Sequence, residues 1–211
     1  MKLHRTENWK DEELEEIEYE PKTVKEMLTE MKDISGLILD LAYSALVLGN
    51  LEIVDEVRYL EARMDTLNHM IRLQTMIAAR MKDDAEDLVG ILQVASSAEK
   101  ISNAAGDIAS ILERIPEIKS YAVTLLKKTD EHILTLAIPD DSPMHRKTIA
   151  EFDIEKETGL RIIAIRREKR WIYGPEDDQT LFSGDMLILR GVDEGIVRLQ
   201  KLAEGKLDHL R

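Results

Sequence analysis

Gly159-Leu-Arg-Ile-Ile-Ala-Ile-Arg-Arg-Glu-Lys-Arg-Trp-Ile-Tyr-Gly-Pro175, followed after a polar run by Leu181-Phe-Ser-Gly-Asp-Met-Leu-Ile-Leu-Arg-Gly191, decides the fold of the C-terminal half. Leu160 to Arg166 is β-rich, with Ile162, Ile163 and Ile165 suited to a pleated, half-buried surface. Glu168-Lys169 is read as a hairpin turn, although it lacks the favoured Asn-Gly chemistry. Arg170 to Tyr173 returns as the next strand, and Pro175 stops it. Glu176 to Thr180 is a polar loop, Gly184-Asp185 a turn dipeptide, and Met186 to Leu189 another buried strand. Upstream, Ile133 to Ile138 is a strand, Asp140-Asp141-Ser142-Pro143 a turn, and Arg146 to Phe152 a short helix. Downstream, Asp193 to Ala203 is a helix carrying Ile196, Val197, Leu199 and Leu202, and Lys206 to Arg211 is expected to be a mobile tail.

The N-terminal half has a different period. Thr23 and Glu26 make a capping box, each side chain satisfying a free backbone N–H at a helix start. Met27, Met31, Ile34, Ile38, Leu41, Ala45 and Leu48 then alternate steps of four and three, which puts them on one stripe. Gly49-Asn50 closes that helix and Asn50 caps a second, with the stripe Ile53, Val57, Leu60, Met64, Leu67 and Ile71, continuing to Met81. Asp83 and Asp84 cap a third, on which Ile91, Val94, Ala98, Ile101, Ala105, Ile108 and Leu112 repeat the spacing until Pro116. Three such helices with short connections predict an antiparallel bundle, and the small Ala98 and Ala105 invite a further helix. Residues 1–20, with the run Asp11 to Glu16, read as an acidic, solvated arm that Trp9, Ile17 and Tyr19 could dock. A link with a helical stretch, Val123 to Lys128, joins the halves.

The composition sets limits. Of 211 residues, 44% are apolar and 34% charged, which suits a folded chain of one large or two small domains. There is no cysteine, so disulfides and thiolate metal sites are excluded. A net charge of −13 argues against nucleic-acid or anionic-membrane binding, which needs clustered Lys and Arg. No apolar run is long enough to span a bilayer, and Met1 to Lys10 has no signal-peptide core. The expectation is a cytoplasmic protein without direct membrane insertion. No P-loop, no Gly-x-Gly-x-x-Gly after a strand, no serine nucleophile elbow and no His-Glu-x-x-His occurs, and no paired acid and base stands out. An enzyme is not expected, nor a bound cofactor.

The series Ser142, Ile149-Ala150-Glu151-Phe152, Gly159, Ile163-Ala164-Ile165-Arg166-Arg167, Pro175, Leu181, Gly184-Asp185, Leu187 and Gly191 resembles the TrkA C-terminal (RCK-C) domain over about residues 120–205. The resemblance implies a small, dimeric, ligand-sensing regulatory module. Residues 21–115 resemble a PhoU-like helical domain, most tellingly at Ser97-Ala-Glu-Lys-Ile-Ser-Asn-Ala-Ala-Gly-Asp-Ile-Ala109, which is similar to the acidic third-helix motif that binds metal clusters in some PhoU proteins. Here Glu99, Asn103 and Asp107 share a helix face, but Asn103 stands where a carboxylate is wanted, and His69 is the lone bundle histidine. No metal site is assigned, and a polar stripe at a helix interface or on a solvated face is favoured.

The fold expected is therefore α+β multidomain: an arm over 1–20, an antiparallel bundle over 21–115 and an RCK-C domain over 120–205. The function expected is a non-enzymatic regulatory subunit or sensor for potassium or other cation transport, working as a homodimer on a membrane channel or transporter from the cytoplasmic side. The alternatives are a PhoU-type regulator of phosphate uptake or signalling, and a metal-binding protein using the acidic third-helix face. The candidate ligand site is Arg166, Arg167, Lys169 and Arg170, a concentration of positive charge in an acidic chain. Guanidinium pairs grip phosphate bidentately, and some TrkA-C domains bind cyclic di-AMP at their dimer interface, so a small anionic nucleotide is the ligand implied. Arg166 and Arg167 point to opposite faces of one strand, so one at most faces a given pocket. Charges that deter edge-to-edge pairing are the competing explanation of the cluster.

Overall fold

The structure of the protein, a computed structural model, describes residues 22–79, 85–126, 132–168, 170–207 and 209–210. The acidic arm, the end of the second stripe at Met81, the caps Asp83 and Asp84, and Lys169 lie outside the described residues. Those residues form two compact units that divide between Pro116 and Glu117.

The first unit is built from three helices, α1 (Val24–Leu48), α2 (Leu51–Ala78) and α3 (Ala85–Arg114). Both halves of the capping box at the start of α1 are made: Glu26 N donates to Thr23 Oγ1 at 3.2 Å, and Thr23 N donates to Glu26 Oε2 at 2.8 Å. Gly49, in the left-handed region at φ 64°, ends α1, and Asn50 caps α2 by accepting from Glu52 N. Met27, Met31, Ile34, Ile38, Leu41 and Ala45 of α1 are fully or almost fully buried, as are Ile53, Val57, Leu60, Met64, Leu67 and Ile71 of α2. On α3 the predicted stripe is rotated. Ala95, Ser102, Ala105, Ala109 and Leu112 face inward, while Val94 is 59% and Ile101 45% exposed. The steps of three and four describe two adjoining apolar rows on this helix, and only one packs against α1 and α2.

The second unit opens with α4 (Ile118–Leu126). Next come β1 (His132–Ala137), a short 3₁₀ turn at Ala150–Phe152, α5 (Ile154–Thr158), β2 (Arg161–Arg167), β3 (Arg170–Tyr173), β4 (Met186–Gly191) and α6 (Asp193–Ala203). The four strands make an antiparallel sheet in the order β1-β4-β2-β3. One sheet face buries Ile162, Ile165, Leu187 and Leu189 in a core with Leu199 and Leu202 of α6 and Ile154 of α5. The helix expected over Arg146 to Phe152 is not continuous. Arg146 N donates to Leu181 O, Leu181 N to Lys147 O, and Ile149 N to Gln179 O, so this segment pairs with the later loop and its backbone groups are not available to a helix. Arg146 itself has φ 62°. The tail expected to be mobile is docked at its described end, where Leu210 is 3% exposed and belongs to the same core. Among the described residues no helix is long and apolar enough to cross a membrane.

Candidate functional site

The three described candidate residues, Arg166, Arg167 and Arg170, flank one hairpin turn. In β2, Arg166 pairs with Trp171 of β3 and Met186 of β4, and Arg167 pairs with Arg170 across the turn. Strand alternation separates the first two. Ile165 and Arg167 belong to the face that carries the core with α6, and Arg166 belongs to the other face, with Ala164, Trp171 and Tyr173. Arg170 is exposed and Arg166 half-buried. Glu168 takes φ 55° in the turn, a conformation that Asn-Gly would have supplied without strain.

Arg167 is a structural clamp. Its Nε donates to Asp185 Oδ1 and its Nη2 to Asp185 Oδ2, both at 2.8 Å, and Nη2 also donates to Thr180 O at 2.8 Å. Its guanidinium carbon lies 4.4 Å from the centre of the Phe182 ring. Asp185 is fully buried, and its Oδ2 also accepts from Phe182 N at 2.8 Å. His145 meets the Phe182 ring edge-on at 5.8 Å between centroids, and its Nδ1 accepts from Ser183 N at 3.0 Å. Ser183 Oγ donates to Asp140 O at 2.9 Å. One bidentate ion pair thus ties the hairpin to the loop that precedes β4 and, through Phe182 and His145, to the turn after β1. The sequence marks Asp185 as a turn residue but does not pair it with Arg167. Its signal was a single carboxylate in the apolar run Leu181 to Leu189, which burial obliges to find a cation.

The acidic face of α3 is arranged differently. Glu99 Oε2 lies 3.4 Å from Arg72 Nη2 of α2, while Asn103 and Asp107 are exposed. Opposite them, burial pushes the Glu61 carboxyl up from its ordinary range, with Asp65 and Asp107 adding to the shift and Arg58 opposing it. Asp65 is pushed up by burial and by the nearby Glu99. Among the described residues no group of three or more His, Asp and Glu is placed to hold a metal ion.

The TrkA-C domain family model matches residues 133–204, and the PhoU domain family model matches residues 28–112. The chain joins a PhoU domain to a TrkA-C domain. The hairpin, the Arg167–Asp185 clamp and α6 all lie in the TrkA-C domain, and α1 from Leu28 onward, α2 and most of α3 lie in the PhoU domain. A probable potassium channel protein 2 of Methanocaldococcus jannaschii is 28% identical over 97 residues, which is 43% of this chain and 28% of that protein. The chain therefore aligns with little more than a quarter of that relative. Among solved structures, the RCK C domain of the potassium transport protein KtrA, in complex with cyclic diadenosine monophosphate, is 30% identical. That match covers 41% of this chain and 95% of the other, with a TM-score of 0.33. The RCK_C domain dimer of Streptococcus agalactiae BusR in complex with c-di-AMP is 22% identical, covering 36% of this chain and 94% of the other, with a TM-score of 0.34.

Proposed function

We propose that this chain is a non-enzymatic regulatory protein of potassium or other cation transport, acting as a homodimer on a channel or transporter from the cytoplasmic side. The observation that carries the reading is the TrkA-C match over residues 133–204. It is supported by the relative that is itself a probable potassium channel protein. In this reading the TrkA-C domain senses a small anionic nucleotide, with cyclic di-AMP the first candidate. Arg166 and Arg170, one on each face of the sheet, are the candidates for the phosphate contact, so one of the two substitutions should carry the loss, and Arg167 holds the loop before β4 in place. Removing one charged hydrogen-bond partner of a phosphate should weaken binding about tenfold to a hundredfold. Calorimetric titration of wild type, Arg166→Ala and Arg170→Ala, after a thermal-shift screen of nucleotides, measures this. Equal, small losses from both substitutions would reject the phosphate site and leave Arg170, on the edge strand β3, a role in blocking edge pairing.

The test of the transport role is rubidium-tracer uptake in a strain lacking the gene, grown with limiting potassium. Altered uptake restored by the wild-type gene is expected. Unchanged rubidium uptake with altered phosphate uptake would favour the second reading, a PhoU-type regulator of phosphate uptake or signalling, which the match over residues 28–112 supports.

A further inference from the structure

The outward side of α3 is unusual for a chain with 34% charged residues. At about 100° per residue, Val94, Ile101, Ile108 and Ile115 fall on one row, seven residues apart. Gly90, Ser97, Ala104 and Ile111 fall on the row beside it, also seven apart. No charged residue interrupts either row. Val94, Ile101 and Ile115 are exposed, as are Gly90, Ser97 and Ala104, and Ile108 and Ile111 are half-buried. Ile115 continues the helical turn, its N–H donating to Ile111 O. The adjoining rim of α1 adds Leu39 and Tyr43, which are 36% and 38% exposed.

We infer that this face is the contact surface for a second copy of the chain, with the two α3 helices antiparallel about a two-fold axis. The proposal gives the self-association suggested above a location in the PhoU domain, and it stands without the transport role. Self-complementarity is the reason for choosing a second copy. If the axis crosses α3 midway between Ile101 and Ala104, Ile101 of one copy meets the small Ala104 of the other. The same operation sets Ser97 against Ile108, Val94 against Ile111, and Gly90 against Ile115. Most pairs then put a large side chain against a small one, which is the knob-and-hole pattern a close helix pair needs. A parallel, in-register pair would instead stack Ile101 on itself and leave a gap at Ala104. An unrelated partner would not require a pattern that maps onto itself by reversal. The strip is about 37 Å long and two helices wide, on the order of the 800 Å² per partner that a stable dimer buries.

The chain has no cysteine, so introduced thiols report without background. Ser97→Cys and Ile108→Cys, co-expressed in full-length protein and mildly oxidised, should give a disulfide-linked pair, whereas Ser97→Cys alone should not. Ile101→Glu added to both chains should abolish that link, because it buries two carboxylates at the centre of the contact. Ile101 is partly exposed within one copy, so the helical circular dichroism of this variant should match wild type. A link from Ser97→Cys alone, no link in the mixture, or a link that survives Ile101→Glu would overturn the proposal. A dimer by light scattering without the Ser97–Ile108 link would leave a homodimer standing through another surface and reject this one. The rubidium-uptake assay decides the transport role separately.

Discussion

The two units are held by different kinds of interaction. In the PhoU domain the core is a stripe of long, flexible side chains, with Met27, Met31, Met64 and Leu60 all at or within 1% of zero exposure. The ion pairs of Arg63 with Glu30 at 2.8 Å, of Lys22 with Glu30 at 2.9 Å, and of Arg58 with Glu113 have no fully buried partner, and all keep some contact with water at both ends. Such pairs contribute little singly, because water competes for both charges. In the TrkA-C domain one ion pair is buried at its carboxylate end and closes three loops, and two backbone segments approach too closely for a side chain between them. Stability in the bundle is spread over many interchangeable contacts, whereas in the sheet unit it is concentrated at a few positions. Substitutions at matched burial should therefore cost much more after Glu117 than before Pro116.

The largest effect expected is at Arg167. Arg167→Ala leaves the fully buried Asp185 without its cation, a change that costs about 3–5 kcal/mol for a fully enclosed pair. The Arg167 side chain is 30% exposed, which reduces the expected loss to roughly 2–4 kcal/mol. Denaturant unfolding followed by the fluorescence of the buried Trp171 measures it. A loss as small as that of a water-exposed pair would erase the contrast between the units. Gly195→Ala comes next. A Cβ there would overlap the backbone carbonyl of Thr158 and crowd Leu160, so α5 and α6 would have to separate. Overpacking of this kind costs roughly 1–3 kcal/mol.

The bundle was legible in the sequence because its information is periodic. Thr23 with Glu26, Gly49 with Asn50, and the steps of three and four are local signals, and the caps and both buried stripes of α1 and α2 follow from them. The outward row of α3 was not separated from the inward one, since a seven-residue repeat fits two adjoining faces and only packing selects between them. The strands and α6 were legible for the same local reason. Arg146 to Phe152 was not, because its backbone pairs with Gln179 and Leu181, thirty or more residues away, and no local pattern encodes that. The arginine cluster was visible as charge, but the engagement of Arg167 by Asp185 depends on two segments meeting in the fold.

The cap of α1 sharpens the comparison from the bundle side. Thr23→Ala removes the acceptor for Glu26 N and loosens Glu26, whose carboxyl is held below its usual range by hydrogen bonds from Thr23. The expected loss is about 1 kcal/mol, the ordinary value of an N-cap. Thermal unfolding followed at the helical circular dichroism band reads it. A loss equal to that of Arg167→Ala would mean that the bundle is as concentrated as the sheet unit.

The smallest effect has the opposite sign. Glu61 of α2 lies against Gly106 of α3, where a Cβ would overlap its carboxylate, so the absence of a side chain at residue 106 makes room for an acid at the helix contact. Burial, Asp65 and Asp107 together raise the Glu61 pKa in the folded state. The folded chain then binds this proton more tightly than the unfolded chain. Stability therefore falls as pH rises from the ordinary carboxylate range through the raised folded value, and by neutral pH the whole penalty is present. Glu61→Gln carries no charge at any pH and escapes the penalty. Asp65 is four residues away on the same helix, and a like-charge pair at that spacing costs roughly 0.2–0.5 kcal/mol. The variant should be more stable than wild type by about that amount at pH 7, and the difference should shrink towards zero as the solution is acidified below the carboxylate range. Urea unfolding of both proteins across that range gives the difference directly. A variant that is less stable at pH 7 would mean that the attraction of Arg58 outweighs burial and both acids. The bundle would then hold a specific polar contact of the kind found so far only in the sheet unit.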